Sequence, residues 1–315
     1  MGTRCTLAAY GEAAQVGPIL DRALDRIAQL EQVFTTWRDD GELAQLNERL
    51  ARGELCQEAG PNLPVSPTLA EGLRRAFDYA GKTGGAFDPT LGALLEAWGQ
   101  KQGGRVPSPD QIARARQQIG LRCVEFNPRT RMLCARCTAV AIDLGAIGKG
   151  IALDEAVAVL RAAGLSNALL DFGGQVWALG NPPGKECWLV DLADPADRQR
   201  GVATLCLKDR SLATTSNSER AFEHDGKRYG HVLDPRSGLP VAGETQLSVI
   251  ATTGTEADAL STAFFVDPQL IRSFTGLDSQ VGVIRITPQS QDGWQIQTAG
   301  DVARWIVASP PLPEP

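Results

Sequence analysis

The chain has 315 residues, 43% of them hydrophobic and 22% charged, with a formal net charge of −6. That length and apolar content suit one large domain or two modest ones, and the acidic balance argues against a nucleic-acid partner, since no basic field attracts a phosphate backbone. No run of about eighteen apolar residues predicts a membrane-spanning helix, and no signal peptide is visible where Met1-Gly2-Thr3-Arg4 leads into the strand-like Cys5-Thr6-Leu7-Ala8-Ala9-Tyr10.

In chain order, Ile19, Leu20, Ala23, Leu24, Ile27, Leu30 and Val33 recur at helical spacing and predict a helix over residues 17–34. Further helices are expected over 42–51, from Ser66-Pro67-Thr68 to about 83, over 94–99 and over 111–120. Strands follow at 124–126, 132–134 and 139–142, then a long helix over 149–163 closed by Gly164. Strands at 167–171, 176–179, 188–192, 202–207, 211–216, 232–233 and 247–252 precede a helix over 256–266, and strands at 281–287, 295–298 and 305–307 finish the sheet. Helices and strands mix without regular βαβ alternation, which predicts an α+β fold.

Seven cysteines leave at least one unpaired within the chain. Cys134-Ala135-Arg136-Cys137 has the spacing of half a zinc site, but no second pair accompanies it, so incidental cysteines on a hairpin are the expectation. Cys187 and Cys206 read as small core residues.

Five segments carry chemistry. In Gly230-His231-Val232-Leu233-Asp234-Pro235-Arg236-Ser237-Gly238 one of only two histidines ends a short strand, with His231 and Leu233 on one face, before a rigid turn. Gly84-Gly85-Ala86-Phe87-Asp88-Pro89-Thr90 offers a backbone that a ligand can approach, or a helix cap by Asp88 or Thr90. Asp143-Leu144-Gly145-Ala146-Ile147-Gly148-Lys149-Gly150 turns a strand into a helix whose amides, with Lys149, suit an anion, although the Walker spacing is absent. Gly173-Gly174 marks a bulge or a close backbone approach. In Glu256-Ala257-Asp258-Ala259-Leu260-Ser261-Thr262, Asp258 and Thr262 share a helix face and offer hard oxygens that suit Mg²⁺; helix capping is the alternative. His231, read alone, is equally a hydrogen-bonded surface histidine.

Together with Thr35-Thr36-Trp37, Glu42-Leu43-Ala44-Gln45-Leu46-Asn47 and Thr215-Ser216, these motifs in this order make the chain resemble the FAD:protein FMN transferases, the ApbE family, from Met1 to about Val266. The resemblance implies a single transferase domain over residues 1–315, with two closely packed lobes as a variant, and an α+β fold of mixed and antiparallel sheets, flanking helices and a flavin cleft between lobes. It implies Mg²⁺-dependent transfer of FMN from FAD to a Thr or Ser hydroxyl of an acceptor flavoprotein, a subunit of a membrane electron-transfer complex, with release of AMP. Flavin contacts then fall on Met1, Trp37, Ala86, Phe87, Asp88, Asp143, Lys149 and Leu233. The metal ligands would be Asp258, Thr262 and the carbonyls of Ala146 and Ser261. His231 is the candidate base, because an imidazole pKa of about 6.5 suits proton transfer near neutrality.

The chain departs from the family pattern in three places. Trp37 stands where tyrosine is frequent, and an indole still stacks on a flavin or adenine ring. Asn217 stands where glycine is usual, and Asn tolerates positive φ. Met1 coincides with a methionine usually preceded by a signal and linker, so the expected location is periplasmic or cell-envelope if a leader was trimmed and cytoplasmic if Met1 is the native start. An FAD pyrophosphatase using water as nucleophile, or a non-catalytic FAD carrier, are the alternatives; a carrier needs neither metal nor base.

Overall fold

A computed structural model describes residues 2–52, 63–217, 221–243, 245–276, 279–289 and 293–308. The helices are α1 (Ala13–Phe34), α2 (Glu42–Ala51), α3 (Pro67–Lys82), α4 (Gly92–Ala97), α5 (Pro109–Gln117), α6 (Gly148–Ala162), α7 (Gly254–Val266) and α8 (Ile271–Phe274). The chain divides into two compact units.

The first unit comprises Gln29–Gly148 and Glu219–Ala242. Its helices start where the sequence supplies caps. Ser66 Oγ accepts from Leu69 N–H at 3.1 Å ahead of Pro67 in α3, and Ser108 and Gln111 form a reciprocal capping box on α5. Leu94, Trp98, Ala115, Ile119 and Leu233 make a buried cluster around α4 and α5. A small antiparallel sheet joins Leu63–Pro64, Met132–Ala135 and Val124–Asn127. The stretch 139–142, expected as a strand, makes only an isolated bridge, between Ala141 and Leu91. Asn47 supplies the missing partner: its amide donates to the Ile142 carbonyl at 2.7 Å and accepts from Ile142 N–H at 2.8 Å. One side chain thus satisfies both backbone groups that a neighbouring strand would have taken.

The second unit comprises Gly2–Ala28, Lys149–Ser218 and Gly243–Pro315. It is built on a seven-stranded antiparallel sheet in the order Cys5–Ala9, Ala168–Phe172, Gln175–Leu179, Arg210–Ser216, Gln246–Ala251, Gly282–Gln289 and Gly293–Ala299. Gln246–Ala251 lies inside the sheet and is buried at every position, and α7 packs on it and on Arg210–Ser216. Gly173 and Gly174, with φ of +61° and +83°, are the two-residue turn of the hairpin pairing Phe172 with Gln175. The adjacent glycines are there because this turn type needs positive φ at both positions, which accounts for them without a bulge. Ile306–Ala308, expected in the main sheet, instead extends a separate three-stranded sheet with Gly201–Leu207 and Trp188–Ala193. The core of this unit gathers Val176, Trp188, Leu205, Leu212, Ile250, Ile284, Ile286 and Trp305.

Sequence gave the cysteines no partners; the fold pairs them. Cys123 bonds Cys137 and Cys187 bonds Cys206, while Cys5 is free. The cysteines expected to be incidental are therefore cross-links, and half a zinc site at Cys134 and Cys137 is not realised. Cys123–Cys137 spans a sequence separation of 14, and a loop of that size restricts the unfolded chain by about 3 kcal/mol. Replacing both cysteines by alanine is expected to lower unfolding stability by up to about 3 kcal/mol in a urea titration, with α7 and its sheet keeping their native hydrogen-exchange protection.

Candidate active site

In the first unit two of the segments expected to contact flavin meet at Asp143, while Leu233 packs in the α4–α5 cluster. The Asp143 carboxylate accepts from Thr36 Oγ1 at 3.0 Å and from Gly145 N–H at 2.7 Å, and its own N–H donates to the Pro89 carbonyl at 2.8 Å. These bonds bring together the segments that carry Trp37, Asp88 and Asp143. Trp37 is 60% exposed, a rare state for an indole. The ammonium of Lys101 lies 5.8 Å from its ring centroid and donates to the Thr36 carbonyl.

Ala86 and Phe87 are buried, Phe87 at 2% exposure, so the Phe87 ring packs inside this unit. Asp88 is also buried. Its Oδ1 accepts from Thr90 N–H at 2.8 Å and Thr90 Oγ1 at 2.6 Å, and Gly120 N–H donates to that hydroxyl at 2.6 Å. Burial pushes the Asp88 carboxyl pKa up, against the downward pull of the Thr90 bonds. Asp88 thus fixes a turn within its own segment; the expected helix cap is not made, since the N-cap position of α4 is Leu91, with no side-chain cap.

His231 sits at a bend between two hairpins and is half-buried. It is not on a strand face: Val232 and Leu233 are both buried, so side chains do not alternate there. The Val232 carbonyl accepts from Val241 N–H at 2.8 Å, and Gly238 N–H reaches the Asp234 carbonyl at 2.7 Å. Arg236 closes on the Asp234 carboxylate at 3.0 Å. Trp98 Nε1 donates to the Gly238 carbonyl at 2.8 Å, which ties the loop to α4. His224 lies in the other hairpin beside the turn residues Asp225 and Gly226, whose φ values are +51° and +70°.

The second unit holds Lys149, Asp258, Ser261 and Thr262, whereas Ala146 belongs to the first. Met1 lies outside the described residues. Asp258 is 4% exposed on α7. Gly150 N–H donates to its Oδ2 at 3.0 Å and Lys149 Nζ to its Oδ1 at 3.2 Å. Gly150 is in the first turn of α6, where backbone N–H groups have no partner within the helix. Asp258 therefore caps a helix other than its own, and its negative charge also suits that helix end. Ser261 Oγ donates to the Asp258 carbonyl at 2.9 Å, so the hydroxyl of Thr215, 2.8 Å from it, is the donor in their pair. This binds the middle of α7 to the strand Arg210–Ser216. Asn217 follows that strand without positive φ; its amide donates to the Gly243 carbonyl at 3.1 Å. Asn217 stands in for glycine by a side-chain bond rather than by conformational tolerance.

Does this donor set fit Mg²⁺? Asp258, Thr262 and helix carbonyls are all hard oxygen donors, as that ion prefers. An ionised carboxylate has about four acceptor positions, and protein donors take two of those on Asp258. No group of three or more His, Cys, Asp or Glu that could hold a metal occurs among the described residues. A cation here would be held by one carboxylate and neutral oxygens, a donor set that suits Mg²⁺ better than zinc.

Three positioning groups were not legible as such. Asn47 ends the Glu42–Asn47 motif, but only the fold shows it pinning Ile142. Gln175 donates to the Gly254 carbonyl at 2.9 Å from beside the glycine turn. Asp154 has one sequence signal: it follows Gly150 at the same spacing at which Asp258 follows Gly254.

The chain is similar to the FAD:protein FMN transferase of Treponema pallidum (strain Nichols), with 34% identity over 304 residues covering 89% of this chain and 81% of the relative. It is 32% identical over 274 residues to that of Rhodobacter capsulatus, covering 84% of this chain and 50% of the relative. Among solved structures, the ApbE protein of Thermotoga maritima matches with a TM-score of 0.83 at 28% identity, covering 96% of this chain and 95% of the other. The flavin transferase ApbE of Vibrio cholerae shares the fold at a TM-score of 0.77 and 23% identity, covering 97% and 96%. The ApbE family profile matches residues 1–280, and the chain belongs to the ApbE family.

Proposed function

We propose that this protein transfers FMN from FAD to a Thr or Ser hydroxyl of an acceptor flavoprotein, with Mg²⁺ at the oxygen face of α7. The observation that carries this reading is Asp258, a buried carboxylate fixed by Gly150 and Lys149 yet with acceptor capacity left over. The names of the relatives support the transferase class. Mg²⁺, the residue roles and the identity of the acceptor are this reading's own additions.

In the proposed reaction the acceptor oxygen attacks the FMN phosphorus. A new P–O bond forms, the P–O bond to the AMP phosphate breaks, and AMP carries away the bond's electron pair. The hydroxyl proton passes to His231, the candidate base. Bound Mg²⁺ would supply charge neutralisation on the pyrophosphate. Asp258, the Thr262 hydroxyl and the Ser261 carbonyl would hold it; the Ala146 carbonyl is proposed as a ligand on the resemblance alone. Lys149, half-buried beside Asp258, adds positive charge for the phosphates. Trp37 offers an exposed ring for stacking. The acceptor is proposed to be a subunit of a membrane electron-transfer complex. Disulfides persist in oxidising compartments, and the pairs among the described residues support a periplasmic or cell-envelope location.

The reading is tested by incubating the protein with FAD, Mg²⁺ and a candidate acceptor. The acceptor is expected to gain the mass of one FMN less one water on a Thr or Ser, with AMP released in equal amount. Free FMN and an unchanged acceptor would make the enzyme a pyrophosphatase instead.

Three substitutions separate the roles. Asp258→Ala is expected to abolish Mg²⁺-dependent transfer in a folded protein; transfer at the wild-type rate would remove the metal assignment. For Trp37→Ala, FAD affinity should fall by roughly one to two orders of magnitude, since stacking on an aromatic side chain is worth about 1–3 kcal/mol per base. Fluorescence quenching on FAD binding should shrink with it. His231→Ala should still bind FAD but transfer FMN at least about a hundredfold more slowly, the lower end of what a positioned base contributes. Equal loss of affinity and rate would make His231 a binding contact.

A further inference from the structure

The starts of α6 and α7 cap one another. Gly150-Ile151-Ala152-Leu153-Asp154 and Gly254-Thr255-Glu256-Ala257-Asp258 share a glycine followed by an aspartate one helical turn later. Asp258 of α7 takes the Gly150 N–H of α6 at 3.0 Å. In return, Asp154 of α6 takes the first free donors of α7: Gly254 N–H at 2.6 Å on Oδ1, and Thr255 N–H at 2.9 Å with Thr255 Oγ1 at 2.6 Å on Oδ2. Trp177 Nε1 adds a fourth bond to Oδ1 at 2.9 Å.

The exchange needs both glycines. A Cβ on Gly150 would stand 2.2 Å from the Gly254 carbonyl oxygen, and one on Gly254 would stand 2.6 Å from the Gly150 carbonyl oxygen. The two aspartates differ in what remains. Four donors fill the acceptor positions of Asp154, whereas two reach Asp258. Asp154 has no capacity for a ligand, and its bonds fix where α7 begins. The carboxylate of Asp258 and the hydroxyl of Thr262 follow from that start, one and two turns along the helix.

We infer that Asp154 is a positioning residue for the Mg²⁺ ligands on α7, acting through the α7 N-terminus without touching the ion or FAD. This rests on the metal assignment made above. Groups that orient metal ligands typically cost about 10–100-fold in metal affinity when removed. Asparagine at this position keeps the size of the side chain but turns one acceptor into a donor, facing N–H groups that cannot accept.

The test is calorimetric titration of the full-length protein with Mg²⁺ alone, paired with the Mg²⁺-induced rise in melting temperature. Asp154→Asn is expected to weaken Mg²⁺ binding at least about tenfold and to shrink the rise. Thr255→Val, which removes one hydroxyl donor and keeps the backbone bond, should weaken binding by a smaller factor. Ser66→Ala removes the α3 cap in the other unit and should lower the melting temperature with Mg²⁺ affinity unchanged. Wild-type Mg²⁺ affinity in Asp154→Asn would overturn the inference. Should that variant not fold, wild-type affinity in Thr255→Val overturns it. Asp258→Ala, run in parallel, separates the two claims: if it binds Mg²⁺ like the wild type, the metal assignment itself falls and the role of Asp154 falls with it.

Discussion

The close crossing of two helix starts is the constraint on which the placement of α6 and α7 depends. Helix N-termini leave backbone donors without partners, and α6 and α7 each place part of theirs on the other's aspartate. Glycine at both crossing points lets the backbones approach. The arrangement places a carboxylate inside the fold, where an unpartnered charge is costly, and supplies enough donors to keep it there. Because Asp258 is incompletely filled while Asp154 is saturated, the same motif yields one carboxylate with acceptor capacity left over and one structural clamp.

The sheet carries this pair. Gln175 and Trp177, on one strand, reach the Gly254 carbonyl and Asp154, and Thr215, on the next, reaches Ser261. Three side chains on two adjacent strands thus fix α7 along its first two turns. The first unit uses the same economy at Asp143. Asn47, Thr36 and the Pro89 carbonyl hold a segment that is not itself a strand. In both units an irregular or terminal backbone is made rigid by polar side chains rather than by more secondary structure, and rigidly held groups are what a phosphoryl-transfer site requires.

Much of this was legible in the sequence, for physical reasons that can be named. A helix read around 42–51 is observed as α2, and α3, with Ser66-Pro67 at its start, lies within one residue of its expected bounds at each end. The oxygen face of Asp258 and Thr262 followed from helical geometry alone. Family resemblance gathered the remaining segments. What stayed hidden was non-local. Disulfide connectivity depends on contacts that spacing does not encode. The stretch 139–142 looked like a strand because it is apolar with β-branched Val140 and Ile142, yet its partner is the Asn47 side chain. Gly173-Gly174 was ambiguous until register showed a hairpin turn. Asp154, inside a helix pattern, reads as an ordinary charged position until α7 is brought against it.

Amide hydrogen exchange at Gly150 tests the reciprocal cap most directly. Its N–H lies in the first turn of α6, where nothing within the helix protects it, and its acceptor is Asp258. The account predicts a protected Gly150 amide in the wild type. In Asp258→Ala that protection should vanish, while amides in the second half of α6, such as Leu160, keep theirs. A Gly150 amide that exchanges at the same rate in both proteins would contradict the account.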